Sequence, residues 1–120
     1  MKKTGIFALL LLMGMWACEY ETIEPIVVEQ QEDPVSFSTQ VAPIFVEVGC
    51  TGCHNGAMVF DLNVDKSYAN LVTAGRVDTA NPATGKLWDK IDTGHGTAVN
   101  LTAAQKSLIL QWIEEGALEN

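Results

Sequence analysis

Residues 35–120 predict a small all-helical domain, and three observations carry that prediction. Phe37, Val41, Ile44, Phe45 and Val48 recur at i, i+4, i+7, i+8 and i+11, which is one face of a helix. Thr102 and Gln105 form a capping-box pair ahead of a second stripe of Leu108, Ile109, Trp112 and Ile113. Asn81-Pro82 is a helix-start signal, with Leu87, Trp88 and Ile91 as the buried side beyond it. No βαβ pattern is found.

The chain ahead of this domain reads as export and tethering rather than fold. Lys2 and Lys3 make a positive start, Ile6 to Met13 a short apolar run, and Ala17 is a small residue directly before Cys18. The run falls short of the ~20 residues a spanning helix needs. Residues 1–17 resemble a bacterial lipoprotein signal, and by that resemblance Cys18 becomes the lipidated first residue of the mature chain. Met15 and Trp16 depart from the commoner lipobox residues. Residues 18–34 hold six carboxylates, two prolines and no basic residue, the composition of an extended acidic tether. Ile26-Val27-Val28 is alternatively a short strand laid on the domain.

The first helix has Ser36 or Ser38 as cap. Pro43 is tolerated only in a first turn, so the regular helix starts near Thr39 or Ala42, and Gly49 ends it. Cys50-Thr51-Gly52-Cys53-His54 follows at once. Two thiols three positions apart with an imidazole next to the second are the attachment signature of a c-type haem. Each thiol adds to one porphyrin vinyl group, and His54 then lies beneath the iron as proximal ligand. Three other readings compete. A redox C-x-x-C needs βαβ surroundings. A zinc site needs about four ligands, and Cys50, Cys53, His54 and His95 are the obvious donors. A plain Cys50–Cys53 disulfide leaves His54 without a role. With Cys18 assigned to lipid, no thiol is left over.

Asn55 to Asp65 reads as a loop wrapping the porphyrin edge, and Ser67 to Val72 as a short helix with Tyr68, Leu71 and Val72 on one side. Thr73 to Thr79 is a loop or extended piece whose Arg76 either neutralises a haem propionate or faces solvent. In the Asn81-Pro82 helix, Lys86, Asp89 and Lys90 lie outside. Asp92 to Asn100 is irregular, with Gly94 and Gly96 around His95. Trp112 of the last helix belongs in the core against the first helix or against haem, and Gly116 supplies the left-handed stop.

Taken in order, these residues resemble the small mono-haem cytochrome c domains of planctomycete-type and Bacteroidetes-type lipoproteins. The resemblance rests on Phe37…Val41-Ala42-Pro43-Ile44-Phe45, the Cys50-x-x-Cys53-His54 motif, Asp61-Leu62, Tyr68-x-x-Leu71 and Lys86-Leu87-Trp88-x-x-Ile91. It continues through Leu101-Thr102-x-x-Gln105…Ile109-x-x-Trp112-Ile113-x-x-Gly116-Ala117. It spans residues 35–118. It implies an all-α cytochrome c fold of about four to five short helices around one covalently bound haem, with the first and last helices packed crosswise. One departure matters: the family's Met-Pro before the last helix, source of the sixth iron ligand, is replaced by His95-Gly96-Thr97-Ala98-Val99-Asn100. After signal removal Met58 is the only methionine, four residues beyond His54. His95 is therefore the expected distal ligand. An open iron position and Met58 are the alternatives.

Without Lys2 and Lys3, five basic residues face fifteen acidic ones, a net charge near −10. Nucleic acid repels such a surface, whereas redox partners with basic docking faces suit it. The expectation is an electron carrier in the cell envelope, lipid-anchored and facing the periplasm or the surface, and not an enzyme. The alternative is a haem enzyme or gas or redox sensor with an open sixth position.

Overall fold

Pro43 shapes the first helix. In the computed structural model, which describes residues 33–120, a π-helical turn Phe37–Val41 runs directly into an α-helix Ala42–Glu47, and together they form α1. Pro43 has no N–H to give and crowds the carbonyl four residues back. The chain widens just before it, so that the Ala42 N–H reaches the Phe37 carbonyl. Ser36 caps the start by accepting from the Thr39 N–H at 3.4 Å. Gly49, at φ +88°, turns the chain out of α1 in a conformation a side chain would disfavour. The signal, Cys18, the possible 26–28 strand and nearly all of the tether lie outside the described residues.

A 3-10 turn, Cys50–Gly52, carries the first cysteine. The α-helix Val64–Tyr68 continues into a π turn Ala69–Thr73, and the two form α2. The short helix expected at 67–72 therefore begins three residues earlier. The Asn63 carbonyl accepts from the N–H groups of Lys66 and Ser67, which closes the added turn. Ser67 is fully buried and donates its hydroxyl to the Val64 carbonyl at 3.2 Å.

The helix expected from Asn81-Pro82 is divided. Pro82–Thr84 is a single 3-10 turn, and α3, Lys86–Asp92, starts only after Gly85. The cause is a tertiary approach. A Cβ on Gly85 would lie 2.8 Å from the Asp78 backbone nitrogen, and the Leu87 N–H donates to the Arg76 carbonyl at 2.9 Å. A third 3-10 turn, Gly96–Asn100, leads to α4, Ala103–Glu114. Both halves of the Thr102–Gln105 capping box are present, and Gly116 takes φ +101° at the far end. Every regular element among the described residues is helical, and no helix there is long and apolar enough to cross a membrane.

The core forms where α4 meets α1. Ile109, Trp112 and Ile113 are buried against Phe37 and Val41, with the Phe37 and Trp112 rings 4.9 Å apart. The indole N–H donates to the Leu118 carbonyl at 3.0 Å. Tyr68 of α2 meets Phe37 edge-on at 5.2 Å and donates its hydroxyl to the Ala117 carbonyl at 3.0 Å. The open amides at the head of α1 are met by the end of the chain. Glu115 accepts from the Val35 N–H at 2.6 Å, the Asn120 side chain from Phe37 at 2.8 Å, and the Asn120 main-chain oxygen from Ser38 at 2.9 Å.

Candidate functional site

The 50–54 segment folds back on itself before it meets anything else. The Cys50 carbonyl accepts from the N–H groups of Cys53 (3.3 Å) and His54 (2.9 Å), so one tight turn presents both thiols and the imidazole. The His54 carbonyl accepts from the Leu62 N–H at 2.8 Å and closes the 55–61 loop against the same turn. Both cysteines are free thiols, Cys50 half-buried and Cys53 exposed.

His54 is oriented from the side. Its Nδ1 lies 3.3 Å from the Phe60 carbonyl oxygen, and its ring packs on the Phe60 ring at 4.5 Å. A carbonyl only accepts, so Nδ1 carries the proton and Nε2 keeps its lone pair for a ligand. This is the arrangement that sets a metal-bound histidine's tautomer from outside the coordination shell.

His95 arrives from the 3-10 turn on the other wall. Its N–H donates to the Lys90 carbonyl at the end of α3, at 2.9 Å, and its carbonyl accepts from Ala98 at 3.0 Å. Gly94, at φ +78°, makes the reversal. A Cβ there would come within 2.9 Å of the Val99 side chain, so the bend requires glycine twice over. The neighbouring Thr97 hydroxyl lies 3.7 Å from the Cys50 sulfur, which ties this turn to the cysteine turn.

The two imidazoles face one another with ring centres 6.3 Å apart and planes inclined at 59°. Two imidazoles bound end-on to one metal ion at about 2.0–2.1 Å would have ring centres about 6.3 Å apart. The observed gap therefore leaves room for one metal ion between the rings. Met58 is 91% exposed and does not line the cavity described next.

Between the histidines lies a cavity of about 410 Å³, within the range of cofactor sites. Cys50, Cys53, His54 and His95 all line it, with Phe45 of α1, Leu62, Leu71 of α2, Ile91 of α3 and Leu101 as its apolar walls. Trp112 does not reach it and belongs wholly to the core. Among the described residues no group of three or more His, Cys, Asp or Glu side chains converges to hold a metal ion, which disfavours the zinc reading of the four donors. A flat macrocycle with two thiol-reactive vinyl groups and a central iron would meet Cys50 and Cys53 with the vinyl groups, His54 and His95 with the iron, and apolar walls with its ring.

Lys86 and Lys90 are exposed, as the sequence reading expects, and they also line the cavity together with Arg76. Each directly precedes a residue of the Leu87/Ile91 stripe, one turn apart. Arg76 does not simply face solvent. It is half-buried, its Nη1 donates to the Asn70 carbonyl at 2.6 Å, and its guanidinium sits 4.1 Å above the Phe60 ring. No family profile, curated protein or solved structure matches this chain.

Proposed function

We propose that this chain is a mono-haem c-type cytochrome of cytochrome c fold, an electron carrier held in the cell envelope by a lipid on Cys18. The observation that carries the reading is the meeting of Cys50, Cys53, His54 and His95 around one apolar cavity, with the imidazoles 6.3 Å apart. When bound, haem supplies a one-electron ferric–ferrous couple. Everything else is done by the chain. Cys50 and Cys53 fasten the macrocycle through thioethers. His54 would offer its Nε2 lone pair, held in register by the Phe60 carbonyl, and His95 would offer a second nitrogen. Phe45, Leu62, Leu71 and Ile91 line the cavity with apolar walls and would keep water from a bound iron, setting its potential apart from that of a solvated site. The exposed Cys53 brings the thioether edge to the surface, where a partner can approach.

No paired acid and base or nucleophile with its base is needed for this role. The acidic surface suits partners with basic docking faces, and the tether lets the domain search for them near the membrane. The test is an absorption spectrum of the matured protein in both redox states, with its intact mass. The expected result is a mass gain of one haem that survives denaturation and a low-spin spectrum with two nitrogen ligands. A colourless, folded protein would overturn the reading. Rapid binding of carbon monoxide to the reduced protein would replace it with the open-site enzyme or sensor.

A further inference from the structure

The charges around the cavity run against the balance of the chain. Residues 33–120 carry the basic side chains Lys66, Arg76, Lys86, Lys90 and Lys106, outnumbered by aspartates and glutamates. Yet Arg76, Lys86 and Lys90 line the cavity, and no carboxylate does. Lys86 and Lys90 are exposed and Arg76 is half-buried, so these cations stand at the rim of the apolar space. A ligand with an apolar body and an anionic edge meets both the walls and the rim.

The fold brings the three together deliberately. Lys86 and Lys90 stand one turn apart on α3 and so share a face. The hydrogen bond from the Leu87 N–H to the Arg76 carbonyl brings the Arg76 segment to the start of that helix. Lys90 lies 3.2 Å from its neighbour Asp89, an exposed pair of little strength, and Lys86 and Arg76 make no ion pair among the described residues. The Phe60 ring and the Asn70 carbonyl steady the guanidinium while leaving most of its five N–H donors unspent.

We infer that Lys86 and Lys90, with Arg76, bind the two carboxylates of the cavity's ligand; on the haem reading, on which this inference rests, these are the propionates. The lysines serve as point charges and Arg76 as a planar fork. By offsetting the propionate charge they disfavour the ferric form, so losing them lowers the reduction potential.

The experiment uses the matured holoprotein. K86Q/K90Q is compared with K66Q/K106Q, which makes the same change of charge away from the cavity. Redox titration of the haem bands is expected to show the one-electron equilibrium constant of K86Q/K90Q falling at least about threefold, or about 28 mV at about 59 mV per decade. The propionate bending band in resonance Raman moves with it, and K86R/K90R restores both. K66Q/K106Q leaves the band in place. The inference is overturned if K86Q/K90Q shifts the potential no more than K66Q/K106Q and leaves the band unmoved. A wild-type protein without haem overturns the cytochrome reading itself, and is seen before any variant is made.

Discussion

On the haem reading, His95 is the residue on which the chemistry of this site turns. It is held by two backbone hydrogen bonds and a glycine bend rather than by side-chain packing, so its replacement should leave the fold intact. His95→Ala is expected to open the sixth position: the reduced protein then binds carbon monoxide rapidly, where the parent does not, while thermal unfolding shows haem still attached. His95→Met should raise the reduction potential by on the order of 0.1 V, a fraction of the ~0.8 V that axial ligands span. Met58→Ala should leave the spectrum unchanged, because that side chain is 91% exposed and off the cavity. A Met58 variant that lost the low-spin spectrum would remove His95 from the iron. At this scale the sequence was informative wherever chemistry is local. Cys50, Cys53 and His54 stand out by type and spacing, whereas His95 enters as distal ligand only through the family resemblance. Lys86 and Lys90 read as solvent-facing and are exposed; that they also line the cavity depends on the neighbouring wall.

At the scale of elements, the reading succeeded where a helix is specified by its own residues. In α4 the capping box, stripe and glycine stop all lie within sixteen residues, Thr102 to Gly116 and Ala117, and the structure reproduces each. Thr102→Ala should therefore cost about 1 kcal/mol, read as a fall of roughly 4–8 °C in Tm for a domain of this size. The reading was incomplete where distant chain decides. Asn81-Pro82 promises a continuous helix, but the approach of Asp78 to Gly85 splits it into a 3-10 turn and α3. Gly85→Ala forces a Cβ to within 2.8 Å of a backbone nitrogen, and overpacking of this kind costs about 1–3 kcal/mol. Chemical denaturation would measure it, and an unchanged midpoint would mean that the Asp78 segment yields freely. The head of α1 was likewise beyond sequence reading, because its amides are met by Glu115 and Asn120, some eighty residues away.

For the molecule as a whole, the site is not an addition to a finished core. α1, α2, α3 and the two turns that carry the cysteines and His95 all contribute to the walls of one cavity, while the separate Phe37–Trp112 contact joins only α1 and α4. Leaving about 410 Å³ unfilled would cost up to about 10 kcal/mol at the ~24 cal/mol per Å³ measured for engineered cavities; water entering from the open side reduces this. That figure is comparable with the ~5–15 kcal/mol by which whole domains are stable. On the haem reading, the chain without its cofactor is therefore expected to lose this fold. C50A/C53A, made without covalent attachment, is expected to lose most of its helical circular dichroism and its cooperative thermal transition, whereas the matured protein shows both. The Phe37–Trp112 corner, packed independently of the cavity, is the part expected to keep residual structure, and hydrogen exchange would find its slowest amides in α4. A cofactor-free chain that melts cooperatively at the temperature of the matured protein would mean that the cavity is a pocket in a self-sufficient core, and that nothing in the folding of this domain depends on what occupies it.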